Sequence, residues 1–370
     1  MTTLTVLGGG QLGRMLALAA TPLGVRVRTL DPSPDASAGA VSELTVGELG
    51  DVDALRAAAV GADVVTYEWE GVPADAVRAL EAEGRCVRPS TRALEISQDR
   101  VAEKTTFGEL GIPVARFCEV AKEADLRRAV DQLGTPAILK TRRGGYDGKG
   151  QAVIATADDV DAAWSALSGA KLLVLEAYVP FDRELSIIAV RGVDGDVRTW
   201  PLVENEHRGG ILRLSHAPAP HVTAALQSTA DAYARALLEA FDYVGVLTVE
   251  LFQVGDSLLA NEMAPRVHNS GHWTIEGSVT SQFENHVRAV LGWPLGATDT
   301  VEPSAMLNVI GTSVDPAAVL AIPGAHLHQY AKDVRPGRKV GHITVTAADE
   351  STLDDRLAAL RRVVPSDVDA

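Results

Sequence analysis

Residues 140–150 read Lys-Thr-Arg-Arg-Gly-Gly-Tyr-Asp-Gly-Lys-Gly, with an apolar strand, Ala137–Leu139, delivering the lysine and a new strand beginning at Gln151. A cationic glycine loop between two strands restricts the fold sharply. It is not a P-loop, because no G-x-x-x-x-G-K-[ST] occurs and no helix follows. Such a loop can close over a polyphosphate, donate backbone N–H groups and exclude water. A hairpin with solvated charges is the plain alternative, and the strand lysine favours the nucleotide.

Elsewhere the chain predicts strand–helix alternation over its first hundred residues. Leu4–Leu7, Val25–Leu30 and Asp63–Tyr67 read as strands, and Gln11–Ala20, Asp51–Ala59 and Pro73–Ala82 as helices, which argues for an open parallel sheet wrapped by helices. A helical piece over Ser97–Leu110 ends at Gly111 and Pro113. An α+β segment follows: strand Val114–Val120, helix Glu123–Leu133, strands Ala137–Thr141 and Gln151–Ala155, helix Ala157–Leu167 and strand Leu172–Val179. Longer hairpin strands run from Glu184 to about Met263 around a helix at Thr223–Ala240. Gly292–Gly296 marks a boundary, and the tail from Pro303 offers three short strands and a helix at Leu353–Val363. At 370 residues the chain has room for two or three domains.

Composition narrows the function. Lys and Arg total 34 against 49 Asp and Glu, a net charge of −15. So acidic a surface repels phosphate backbones and anionic lipid, which argues against nucleic-acid or membrane partners; an anionic ligand must meet a local cation cluster. Two cysteines exclude a disulfide framework or a Cys-rich zinc site. The N-terminus lacks a signal-peptide pattern, and no apolar run approaches the ~20 residues of a membrane span. A cytoplasmic protein is expected.

Three further constellations carry chemistry. Gly8-Gly9-Gly10-Gln11-Leu12-Gly13 fits G-x-G-x-x-G after a strand and opening a helix, with Asp31 ending the next strand where a dinucleotide-binding protein holds a ribose hydroxyl. That pattern alone points to NAD, to another phosphorylated ligand or to a tight turn. Second, Val244–Val254 and Leu258–Met263 read as a hairpin with a three-residue loop, Gly255-Asp256-Ser257, setting Glu250 opposite Glu262. Adjacent carboxylates repel unless a cation lies between them, and magnesium with phosphate oxygens suits them; two wet surface glutamates are the bland reading. Asn261 and the run Arg266-Val267-His268-Asn269-Ser270-Gly271-His272 favour a docked anion. His268 and His272 have i, i+4 spacing but no helical context, so polar contacts to substrate are expected in place of zinc. Third, Lys332, Arg335, Arg338 and Lys339 form either a solvated turn or a phosphate clamp.

In this order the strand lysine, glycine loop and paired glutamates resemble the ATP-grasp ligases. The resemblance is closer to one family, N5-carboxyaminoimidazole ribonucleotide synthetase, the ATPase subunit of phosphoribosylaminoimidazole carboxylase in bacterial and fungal purine biosynthesis. It is carried by Gly8–Met15 (GGGQLGRM), Arg142–Gln151 (RRGGYDGKGQ), Asn261–Trp273 (NEMAPRVHNSGHW) and Lys332–His342 (KDVRPGRKVGH), which span nearly the whole chain. The resemblance implies an α/β and α+β chain with the ATP-grasp fold. Residues 1–98 would form a Rossmann-like pre-ATP-grasp domain, and 99–180 a small subdomain with the glycine lid. Residues 181–298 would form a large subdomain with the metal site, and 299–370 a small C-terminal β-rich domain.

It also implies roles. Arg100, Lys140 and the lid (Gly144, Gly145, Tyr146, Asp147, Gly148, Lys149, Gly150) would contact ATP phosphates. Glu176, Ala177, Tyr178 and Val179 would meet adenine and Glu184 the ribose, with His207 and Asn261 completing the nucleotide site. Glu250 and Glu262 would bind Mg2+, with Mn2+ as an alternative. Arg266, His268 and Asn269 would hold bicarbonate and its acyl phosphate. Aminoimidazole ribonucleotide would lie between Gly10, Gln11, Leu12 and Glu68 and the cations Lys332, Arg338 and Lys339, with Tyr146 reaching over. A homodimer is implied. Gly71 and Gly209 depart from the family pattern, which favours Asn and an acid there. Two rivals remain at this point: an ATP-grasp ligase for formate or an amino acid, and a nucleotide sensor that binds NAD without turnover.

Overall fold

The computed structural model describes residues 1–145 and 149–364, so Tyr146, Asp147 and Gly148, expected at the nucleotide, lie outside the described residues. The first hundred residues form a parallel four-stranded sheet in the order Glu43–Val46, Arg26–Asp31, Thr3–Leu7, Val64–Tyr67. Thr3–Leu7 is buried along its whole length, as a parallel strand covered on both faces must be. Helices Gln11–Ala20, Val52–Ala59 and Ala74–Ala82 wrap it, close to the predicted spans. The strand Glu43–Val46, short and mostly exposed at the sheet edge, lacks the apolar signal that periodicity needs.

Two spans differ from expectation, one through a helix cap and one through a bridge to another sheet. The helix expected over Ser97–Leu110 runs Arg100–Glu109, started where the Asp99 carboxylate accepts from the N–H groups of Val101 and Ala102, and a separate, unexpected helix, Thr91–Ser97, precedes it. The strand expected from Val114 starts at Phe117, because Val114 bridges to Ala260 of another sheet. Phe117–Val120, Leu173–Ala177, Ala137–Thr141 and Gln151–Ile154 then make an antiparallel sheet under helices Glu123–Leu133 and Val160–Leu167.

The second half of the chain is organised by a nine-stranded antiparallel sheet. From one edge its order is Ser257–Ala264, Gly245–Val254, Arg183–Arg191, Val203–Arg208, Ile211–Ala217, Ser304–Ile310, Lys339–Thr346 and Ala325–Gln329, with Val197–Thr199 paired to Arg183–Arg191. The C-terminal strands therefore extend the sheet of the large subdomain; Ile211–Ala217 pairs directly with Ser304–Ile310 across the expected 298/299 boundary. Apolar residues of the first domain (Leu12, Leu16), of strand Gly245–Val254 (Val246) and of the helical segment after it (Trp273, Phe283) share one core. At the turn Gly209-Gly210 both residues have positive φ (+58° and +76°), so glycine there answers to a two-residue hairpin loop. Among the described residues, no helix is long and apolar enough to cross a membrane.

Candidate active site

The Gly8–Gly13 loop is filled from within. Gly10 N–H donates to Glu68 Oε1 at 2.9 Å and Gly13 N–H to Oε2 at 3.3 Å, while Gly9 N–H donates to Asp31 Oδ2 at 2.7 Å. Helix Gln11–Ala20 has no side-chain cap, and the buried Glu68 carboxylate stands at its N-terminus where a phosphate would otherwise lie. Burial pushes the Glu68 carboxyl up, against the pull of the Gly10 N–H, Arg266 and Lys332. Gly8 has φ +100°, and a Cβ on it would lie 2.7 Å from Glu68 Oε1. The donors that a dinucleotide needs are thus occupied by the chain's own carboxylates, which removes the basis for NAD at this loop. Of the expected ribonucleotide contacts here, Gln11 and Glu68 present side chains; Leu12 points into the core. A Cβ on Gly71 would stand 2.4 Å from the exposed Trp69 ring, so a larger residue there requires that ring to move.

Helix Arg100–Glu109 ties the two glutamate-bearing sheets together. Arg100 Nη1 meets Glu262 Oε2 at 2.9 Å, and the Glu103 carboxylate accepts from the Met263 N–H at 2.7 Å. Lys104, 1% exposed, reaches Glu176 Oε1 at 3.3 Å and the Asn261 carbonyl at 3.2 Å. Lys140 takes the other Glu176 oxygen at 2.9 Å. Burial opposes the Glu176 charge, but Lys104 and Lys140 hold its carboxyl down at about 2. Burial lowers Lys140. Burial and the repulsion of Glu262 push Glu103 up to about 8. The side chain of Glu176, a residue expected at adenine, is thus paired to two lysines. Sequence reasoning missed Glu103 and Lys104; their i, i+3 and i, i+4 relation to Arg100 on a capped helix is the signal that could have found them.

Beside the glycine loop, Arg142 and Arg143 are ion-paired to Asp99, at 2.6 and 3.0 Å. The first cations of the motif therefore brace the helix cap. A Cβ on Gly145 would meet Lys149 O at 3.0 Å, and one on Gly150, at φ +73°, would meet Thr141 Oγ1 at 2.7 Å. The loop ends close on strand Ala137–Thr141, and only glycine lets them.

The hairpin sets Glu250 opposite Glu262, as expected, but by a different route. Val254 pairs with Ser257, so the loop is the two residues Gly255-Asp256, and a bulge between Glu250 and Leu251 restores the predicted pairing. Asn261 is the extra residue of that bulge, and bulges re-aim side chains. Its side chain joins Glu184, Asn205, His207, Glu250 and Phe252 around one small hollow. Within it Glu184 pairs with His207 Nδ1; burial would lower the imidazole, and Glu184 followed by Glu250 raises it.

On the other side of the glutamates, His268 Nε2 lies 3.1 Å from Glu250 Oε1 and His268 Nδ1 lies 2.9 Å from Ser270 Oγ. Burial works against the Glu250 charge, and the His268 contact brings its carboxyl down to about 2. Arg266 Nη2 pairs with Glu70 Oε2 at 2.9 Å, and Asn269 exchanges hydrogen bonds with Asn308 at 2.8 and 3.1 Å. His272 is fully buried, which overturns its expected contact with substrate. Across the domain seam Lys332 meets the Gln11 side chain, and burial lowers it against the pull of Glu68. Arg338 donates to the Asp333 carbonyl at 3.3 Å, folding the cation turn on itself.

A magnesium ion fits this donor set. Glu250 and Glu262 are hard oxygen ligands on adjacent strands, and the buried Asn261 Oδ1 has no hydrogen-bond partner among the described residues. One or two carboxylates plus phosphate oxygens are what that ion takes.

The chain matches three family descriptions end to end: the ribonucleotide synthetase preATP-grasp domain over residues 1–98, the ATP-grasp domain over 105–283, and the phosphoribosylaminoimidazole carboxylase C-terminal domain over 304–356. It is 50% identical to the N5-carboxyaminoimidazole ribonucleotide synthase of Pseudomonas aeruginosa, covering 97% of this chain and 98% of that one. It superposes on the crystal structure of N5-carboxyaminoimidazole ribonucleotide synthetase from Thermus thermophilus with TM-score 0.94 and 56% identity, covering 98% and 99% of the two chains. A similar enzyme from Aspergillus clavatus, solved with ADP and 5-aminoimidazole ribonucleotide, gives TM-score 0.90 and 35% identity over 98% and 99%.

Proposed function

We infer the chemistry from one premise: this chain belongs to the N5-carboxyaminoimidazole ribonucleotide synthase family. It is an ATP-grasp ligase that carboxylates 5-aminoimidazole ribonucleotide to N5-carboxyaminoimidazole ribonucleotide in purine biosynthesis. The residue roles below are our reading, and the carrying observation is the Glu250/Glu262 pair beside the buried Lys104–Glu176–Lys140 cluster.

Bicarbonate is a poor electrophile, so ATP phosphorylates it first, giving carboxyphosphate. One carboxylate shared by two buried ammonium groups leaves local positive charge near the strand that carries Lys140. A phosphate oxygen of ATP balances it, and Arg100 stands beside. Ala177, Tyr178 and Val179 receive adenine, and Glu184, fixed by His207, takes the ribose. Glu250, Glu262 and Asn261 would hold Mg2+, which supplies charge neutralisation on the transferring phosphoryl group. Arg266 and His268 orient bicarbonate and its acyl phosphate, with Asn269 held in place by Asn308. Because carboxyphosphate decomposes in water, the glycine loop from Gly144 to Gly150 shields it. Lys332 reaches Gln11 of the first domain, and with Arg338 and Lys339 it would clamp the ribonucleotide against Gln11 and Glu68. The exocyclic amine then attacks the activated carbon, giving the carbamate, ADP and phosphate.

We place the enzyme in the cytoplasm, as a homodimer. The experiment is ADP release with magnesium, ATP and bicarbonate, with and without the ribonucleotide. Release that depends on the ribonucleotide is expected. Release driven equally by formate or an amino acid would overturn the choice of carbon donor.

A further inference from the structure

His272 and His342 lie in two of the signature segments but take no part in the reaction above. Both are fully buried. The His342 ring stacks on His328 with centroids 4.3 Å apart and planes 6° from parallel, and His272 packs against it at 4.7 Å. His328 in turn pairs with Glu276 at 2.7 Å. Burial holds His272 and His342 well below the ordinary imidazole range, so both rings are neutral at neutral pH. A neutral ring carries one N–H and one bare nitrogen, and His342 Nδ1 lies 2.6 Å from the Tyr330 hydroxyl, which donates to it or accepts from it according to the tautomer.

Tyr330 is gripped from every side. Its ring is 1% exposed, its N–H donates to the Val340 carbonyl at 3.0 Å, and its carbonyl accepts from Ser37 Oγ of the first domain at 2.6 Å. The next residue, Ala331, stands at φ +52°, a left-handed position that a residue with a Cβ occupies only when its surroundings impose it. That turn brings Lys332 back over the Tyr330 ring, Nζ 5.8 Å from its centroid, and onto Gln11.

We propose that Tyr330 and His342 are positioning residues for Lys332: the hydroxyl–imidazole bond fixes the ring on which the ammonium rides, and so fixes where the ribonucleotide is met. This role rests on the ribonucleotide-binding reading of Lys332 given above. The three-imidazole cluster beneath it, His328 stacked on His342 and His272 tilted against it, joins the large subdomain, through His272 and Glu276, to the C-terminal strands, through His328 and His342. The clamp is thereby referenced to the sheet that carries the reacting groups.

The experiment is a double-mutant cycle on the full-length enzyme, reading the KM for the ribonucleotide and for ATP separately. Tyr330→Phe keeps the ring and its burial and removes one oxygen. It is expected to raise the ribonucleotide KM by about 5-fold or more, to leave the ATP KM unchanged, and to add nothing once Lys332→Ala is present. A ribonucleotide KM unchanged in Tyr330→Phe but raised in Lys332→Ala overturns the positioning role. So does an equal rise in both backgrounds, which would mean that Tyr330 acts elsewhere. An unchanged KM in Lys332→Ala itself overturns the reading on which the role rests, and the role with it. If Tyr330→Phe melts below the assay temperature, His342→Gln and His342→Leu replace it. The amide can accept from the Tyr330 hydroxyl or donate to it, so His342→Gln is expected to keep the KM within about 3-fold while His342→Leu loses it. Equal KM values for the two variants would overturn the role.

Discussion

Two glycine-rich segments, Gly8–Gly13 and Gly144–Gly150, look alike on paper, each following a strand and each suited to a phosphate. Their surroundings differ in sign. At the first, Glu68 and Asp31 take up the backbone N–H groups, so the glycines exist to let carboxylates approach the main chain. At the second, the adjoining strand presents Lys140, and Lys104 and Arg100 stand behind it, with their negative partners Glu176 and Glu262 already shared. A glycine loop therefore specifies close approach, and the neighbouring charges specify what approaches.

The sharpest way to break this contrast is at the proposed metal pair, Glu250 and Glu262. Glu262→Gln removes one ligand charge and frees Arg100, and kcat is expected to fall ~100-fold or more while circular dichroism shows the fold intact. Undiminished turnover would mean that the cationic side is not where phosphoryl transfer occurs. Lys104→Met comes next. It leaves the buried Glu176 with Lys140 alone, and loss of one partner from a buried ionic group is expected to cost ~3 kcal/mol in a urea melt. Because Lys140 is then drawn towards Glu176, the KM for ATP should rise ~10-fold with the ribonucleotide KM unchanged; equal effects on both would make Lys104 merely structural. The smallest effect compares the loops directly. Gly8→Ala drives a Cβ into Glu68 at a left-handed φ and is expected to cost ~2 kcal/mol of stability. Gly144→Ala, at φ +78° with nothing within 4 Å, should cost ~1 kcal/mol and be felt mainly in ATP binding. Stability losses in the reverse order would remove the distinction.

Much of the fold was legible because its signals are local. Helices Gln11–Ala20 and Glu123–Leu133 and strand Ala137–Thr141 follow from periodicity and have the spans expected of them. The edge strand Glu43–Val46 was not legible, since an exposed edge carries little apolar pattern. Nor was the helix start at Asp99, where one carboxylate caps a helix and also binds Arg142 and Arg143. The facing of Glu250 and Glu262 was read correctly from the hairpin, although the loop is one residue shorter than expected and a bulge at Asn261 makes up the difference. His272 was read as a polar contact for substrate because it follows the Arg266–Asn269 run; only its burial shows otherwise.

By itself the sequence determined which residue types are available and how they are spaced along strands and helices. It also carried the four motifs that mark the family. The tertiary structure decided which charges meet. Glu68 reaches Gly10 across 58 residues, Lys104 reaches Asn261 across 157, and Lys332 reaches Gln11 across 321. Periodicity reports only neighbours within a few residues, whereas electrostatic pairing in a buried site depends on distance through space. The same glycine pattern therefore closed on a carboxylate at one end of the chain and beside lysines in the middle.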